Sequence, residues 1–150
     1  MAKAKVFQFK TKRNAKIKVE RKKDESTLKE PEEEIGLIHG QIPGSSLEWR
    51  VALALDTLKL NYSYQVPLAG GRLFRGGQVL DFLVYTVPLP TPLFVQGDYW
   101  HGGTRSAESK YKVDEVKRIM GSYCADPVEI WEHEALTKEQ ALDTVRRKLL

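Results

Sequence analysis

The chain has 150 residues, a formal net charge of +4 and a single cysteine, Cys124. That length suits one domain that buries about two-thirds of its unfolded surface, while one thiol excludes an intrachain disulfide and a cysteine zinc cage and suits a reducing compartment. No stretch approaches the roughly 20 apolar residues of a membrane span, and the lysine-rich start lacks the apolar core of a signal peptide, so no membrane partner and a cytoplasmic or otherwise intracellular setting are expected.

The charge is unevenly distributed. Residues 1–23 carry ten Lys or Arg against one acid, a local +9; residues 24–35 carry six acids against Lys29, a local −5; the remainder carries thirteen of each sign. The basic excess therefore lies in an N-terminal arm, which could neutralise several phosphates and attract nucleic acid with strong salt dependence. A solvated, disordered leader explains the same composition. Within the arm, Val6-Phe7-Gln8-Phe9-Lys10 and Lys16-Ile17-Lys18-Val19-Glu20 alternate apolar with polar residues, a pattern for a two-stranded ribbon that would need a partner to order. Residues 24–44 read as an acidic linker followed by a glycine-rich loop, and residues 45–150 as the globular domain.

Ser45 or Ser46 can cap a helix whose apolar face is Leu47, Val51, Ala54, Leu55 and Leu58, with Asn61 ending it. Glu48 falls in its first turn, where the helix dipole favours an acid whatever the protein does. Tyr62 to Leu68 suits a strand. Two glycine pairs, Gly70-Gly71 and Gly76-Gly77, then flank Arg72 and Arg75, placing two cations on a loop that could approach a phosphate backbone or simply connect strands. In Val79 to Val84 an acid, Asp81, interrupts a buried-strand pattern. A carboxylate there loses hydration, so it should find a cation or hydrogen-bond donors, or raise its pKa. A proline-rich turn leads to Leu93-Phe94-Val95 and a polar, aromatic cluster of Gln96, Gly97, Asp98, Tyr99, Trp100 and His101. Adjacent strands would bring this cluster and Asp81 together at one edge of a sheet.

A helix over about Ala107 to Met120 follows, with Val113, Val116, Ile119 and Met120 as its stripe, Gly121 as its terminator, and Lys110 and Lys112 off the stripe. Val128 to Glu132 reads as a short strand, and Thr137 with Gln140 as a capping box for a last helix burying Ala141, Leu142, Val145 and Leu149. An antiparallel meander, a crossover helix and a further strand imply an α/β fold, a mixed sheet flanked by helices.

Ser46-Leu47-Glu48, Leu80-Asp81-Phe82, the run from Phe94 to His101, and Val128-Glu129-Ile130-Trp131-Glu132-His133-Glu134 resemble the very-short-patch-repair endonucleases, members of the PD-(D/E)XK restriction-endonuclease-like superfamily. The resemblance covers about residues 45–150, and its most specific parts are the Gly97 to His101 run and the Ile130-Trp131-Glu132 strand. It implies a restriction-endonuclease-like fold and Mg²⁺- or Mn²⁺-dependent hydrolysis of phosphodiester bonds in nicked, mismatched or branched DNA. By this analogy Asp81 is the principal metal ligand, the Val95 carbonyl a second, Glu48 the helix acid that holds a water on the metal, and His101 an acid, base or phosphate ligand. Trp100 and Tyr99 would pack beside the site, and Arg72, Arg75, Trp100, Arg105, Lys110 and Lys112 would face DNA. Gln96 departs from the pattern: the family has a histidine or an acid there, for which Asp98 is the nearby substitute. No lysine follows in the superfamily's E-x-K position. A second use of the fold therefore stands beside the enzyme: a non-catalytic structural or adaptor subunit of a nucleoprotein assembly, for example a viral particle, tethered to other subunits by its arm.

Overall fold

The computed structural model describes residues 33–73, 75, 77–98 and 104–150, with the side chains of 104–106 and 109 left out. The basic arm and most of the acidic linker lie outside the described residues. The chain divides after Glu34 into two units, and the larger runs from Ile35 to Leu150. It thus begins before residue 45, because the glycine-rich loop is part of the fold. Ile38 is 2 % exposed within the core, it exchanges backbone hydrogen bonds with Gln41, and His39 stacks on Tyr62 with ring centroids 4.4 Å apart.

Helix α1 spans Ser46–Thr57, and strands β1, β2 and β3 span Tyr62–Leu68, Gln78–Val84 and Thr91–Gln96. Helix α2 spans Thr104–Met120, β4 Val128–Trp131 and α3 Lys138–Leu149. Strand order is β1-β2-β3-β4. The first three strands pair antiparallel and β4 joins β3 in parallel, which requires the crossover that α2 supplies. The result is an α/β fold with a four-stranded mixed sheet flanked by helices.

Successive residues of the inner strands feed two cores, as a pleated strand buried on both faces requires. Phe82 and Leu93 join Leu47, Val51 and Leu55 of α1 and Ala141 and Val145 of α3 on one face. Leu83 and Phe94 meet Val113, Val116, Ile119 and Met120 of α2 on the other. The caps follow the sequence closely. Ser45 Oγ accepts the Glu48 N–H at the start of α1, Thr137 Oγ1 accepts the Gln140 N–H at the start of α3, and Gly121, at φ 53°, ends α2. The capping box is completed differently from its usual form, since Gln140 Oε1 accepts from Leu136 N–H, one residue before the cap. Among the described residues no helix is long and apolar enough to cross a membrane.

Candidate functional site

The two inner strands stop pairing with each other at Phe82↔Leu93. Beyond that rung β2 remains paired with β1 through Val66↔Leu80, while β3 continues beside β4 to Gln96↔Trp131. Asp81 is the first residue of β2 past the parting, and its Oδ2 accepts the Val95 N–H at 2.9 Å. The carboxylate so occupies the place of a backbone acceptor. Asp81 thus bonds Val95, one residue before the polar cluster expected beside it, and does so between the inner strands and not along an edge strand.

Burial pushes the Asp81 pKa from 3.8 up to about 6; the Val95 N–H opposes the rise, the charge of Glu48 adds to it, and Lys112 and Arg72 oppose it. Asp81 therefore follows both routes open to a dehydrated acid: it takes one donor and holds its proton more tightly.

Glu48 arrives from the first turn of α1. Its Oε2 accepts the hydroxyl of Tyr64 and, at 3.3 Å, the N–H of Gly44. The same N–H reaches the Tyr64 oxygen at 3.2 Å. A methyl group on Gly44 would stand 2.9 Å from Glu48 Oε1 and would press this flexible carboxylate end aside. Burial raises the Tyr64 pKa, and its hydrogen bond to Glu48 raises it further. A cleft of about 400 Å³ opens between the start of α1 and the ends of β3 and β4, lined by Gly44, Ser45, Glu48, Val95, Gly97 and Glu132. Asp81 is not in its lining and adjoins it through Val95.

The remaining expected residues divide. Gln96 is the last residue of β3, half-buried and in register with Trp131. Asp98 turns toward the end of β4: its N–H donates to Glu132 Oε2 at 3.0 Å and its Oδ1 lies 2.8 Å from His133 Nδ1. Asp98 is thereby engaged with the β4 side of the cleft. Arg72, in a 3-10 turn over Gly71–Leu73, is exposed, as are Arg75, Lys110 and Lys112. Of these, Lys112 and Arg72 act electrostatically on Asp81. Tyr99, Trp100 and His101 lie outside the described residues, as does the side chain of Arg105.

Residues that the sequence did not single out complete the site. Tyr64 holds Glu48, Gly44 admits it, and His133 pairs with Asp98. A glycine four residues before a helix acid is a weak sequence signal, and the tyrosine 16 residues further on is visible only in three dimensions. Among the described residues no group of three or more His, Cys, Asp or Glu converges to hold a metal ion. Glu48, in the cleft, and Asp81, beside it through Val95, each offer hard oxygen donors. That set fits Mg²⁺, which is commonly held by one or two carboxylates together with water and substrate phosphate. Comparison of the chain with models of protein families, with curated proteins and with solved structures finds no match.

Proposed function

We propose that this protein is a Mg²⁺-dependent DNA endonuclease of the very-short-patch-repair, PD-(D/E)XK type, with a restriction-endonuclease-like fold, acting on nicked, mismatched or branched DNA. The observation that carries the reading is that Glu48 and Val95 line one cleft and Asp81 adjoins it, accepting the Val95 N–H at 2.9 Å where β2 and β3 part, close enough for the charge of Glu48 to raise the Asp81 pKa. Two carboxylates brought from separate elements into one field repel each other, and a divalent cation relieves that repulsion. Asp81 would hold the ion, with Glu48 orienting water beside it. Bound there, Mg²⁺ neutralises phosphoryl oxygens and assists the attacking and leaving oxygens. Lys112 and Arg72, whose fields already reach Asp81, would meet the DNA backbone. Roles for His101 and Trp100 rest on the resemblance, and the basic arm would add salt-dependent affinity for DNA.

One observation favours a second reading, a structural or adaptor subunit of a nucleoprotein assembly. Glu48 already accepts from Tyr64 and Gly44, and Gln96 brings no charge to the cleft. Incubation of plasmid and of nicked, mismatched and branched duplexes with Mg²⁺ or with EDTA separates the two. Cleavage with Mg²⁺ that stops in EDTA and in Asp81→Ala supports the nuclease; survival of every substrate, or equal cutting by Asp81→Ala, rejects it.

A further inference from the structure

Strand β1 carries a feature that pairing alone does not require. The rungs Tyr64↔Phe82 and Val66↔Leu80 flank a missing one, so Gln65 stands opposite Asp81 without a ladder partner. Its φ is 54°, in the left-handed region that a residue with a side chain seldom adopts within a strand. Across this gap both strands change face, for on β2 Phe82 lies in the core beneath α1 and α3 and Leu80 in the core beneath α2. Tyr62 and Tyr64 pack with Phe82 in the core beneath α1 and α3, whereas Val66 and Leu68 join the core beneath α2. Unbroken alternation would place all four on one side. The reversal across the gap leaves the Tyr64 phenol on the α1 side, where it donates to Glu48 and accepts from the Gly44 N–H at 3.2 Å. The Gln65 side chain lies near enough to this phenol to oppose the rise in its pKa. Irregularities of this kind in strands concentrate beside functional sites, where they re-aim a side chain.

We infer that Tyr64 and Gln65 are positioning residues that fix the Glu48 carboxylate beside Asp81 for a divalent cation, the left-handed turn at Gln65 setting the reach of the phenol. The inference rests on the cation-site reading given above. It is tested by titrating Mn²⁺ into wild type, Asp81→Ala, Tyr64→Phe and Gln65→Gly, with thermal unfolding of each measured alongside. Gln65→Gly should unfold at the same temperature as wild type or higher, because glycine adopts a positive φ without strain. Tyr64→Phe should nevertheless bind Mn²⁺ about 10-fold or more weakly, the usual effect of removing a partner that orients a metal ligand, whereas Gln65→Gly keeps the turn and should bind within about twofold of wild type. A purely structural role would move the unfolding temperature and leave the Mn²⁺ affinity unchanged. Mn²⁺ bound by wild type and lost in Asp81→Ala, with Tyr64→Phe within about twofold of wild type, overturns this inference alone. Failure of wild type itself to bind Mn²⁺ overturns the cation site and this inference with it.

Discussion

Asp81 accepts the Val95 N–H at 2.9 Å, one residue past the last rung between the two inner strands, so a side chain does there what the neighbouring backbone does elsewhere in the sheet. This position explains why the acid is retained in an apolar run at a cost. Its pKa rises from 3.8 to about 6 on folding. Between those values the folded protein holds a proton that the unfolded chain has released, so stability falls as pH rises through that window and stays lower above it. The full cost is at most about 3 kcal/mol. Asp81→Asn keeps an oxygen for Val95 and removes the charge, so urea unfolding at pH 7.5 in EDTA should show a gain of about 1–3 kcal/mol. The loss of wild-type stability between pH 4 and 6 should also flatten. Equal stability of the two proteins at pH 7.5 would contradict this.

On the proposed cation site, the same pKa would set the pH dependence of binding. An ion must displace the proton from Asp81, so Mn²⁺ affinity should be level above pH 7 and fall roughly tenfold per unit below about pH 6. Calorimetric titrations near pH 5.5 in buffers of different ionisation enthalpy should record release of most of one proton per ion. An affinity constant from pH 5 to 8 would show that Asp81 is not the ligand.

Gly44 is favoured by space and not by backbone conformation. A Cβ there would lie 2.9 Å from Glu48 Oε1 and 3.2 Å from Oε2, and the carboxylate could yield only by leaving Tyr64 and the Gly44 N–H. Gly44→Ala should displace the carboxylate at a cost of under about 1 kcal/mol in stability and lower any Mg²⁺-dependent activity. Glu48→Ala removes the obstruction, so in that background Gly44→Ala should cost much less, a coupling that a double-mutant cycle measures directly. Additive losses would mean that the contact does not govern the site.

What could be read in the sequence, and what could not, follows from the range of each signal. The cap at Ser45, the apolar stripe of α2, the end at Gly121 and the run Leu93-Phe94-Val95 are local patterns with a period or a stop residue, and each produced its element close to the expected bounds. Asp81 stood out because a charge inside an apolar run has an energetic meaning without coordinates. The partners of Glu48 were hidden, since Tyr64 in an alternating strand reads only as an apolar-face residue. Gln65 gave no warning of a positive φ, for which asparagine or glycine is the usual marker. The stretch from Gly36 to Gly44, rich in glycine, read only as a loop leading into α1, yet Ile38, the stacking of His39 on Tyr62 and the Gly44 N–H tie it to the domain. Asp98 was read as a neighbour of Asp81 from its place in the chain, but the chain turns it toward His133 on the far side of β3.

The last helix supplies the remaining prediction. In sequence Lys148 is one of three cations suited to a helix C-terminus, and the dipole alone would account for it. Its Nζ instead bonds both the Glu129 carbonyl and Glu134 Oε2, each at 2.7 Å, while Glu134 Oε2 also accepts the Trp131 N–H at 3.1 Å. The ends of β4 and α3 are thereby joined through one carboxylate, with the two side chains 25 % and 20 % exposed. Burial alone would raise the Glu134 pKa, but the bonds from Lys148 and Trp131 overcome it and hold the group below its ordinary 4.5. A lowered acid adds stability that is present above its unfolded value and lost as pH falls through the folded one. Lys148→Met keeps the apolar stem, strands a half-buried carboxylate and uncovers the Glu129 carbonyl, so unfolding at pH 7 should show a loss of about 1–3 kcal/mol. The difference from wild type should shrink as pH falls through the lowered folded pKa of Glu134, where the carboxylate protonates in both proteins. A loss under about 0.5 kcal/mol, or one that does not change with pH, would return Lys148 to the role of an ordinary surface cation.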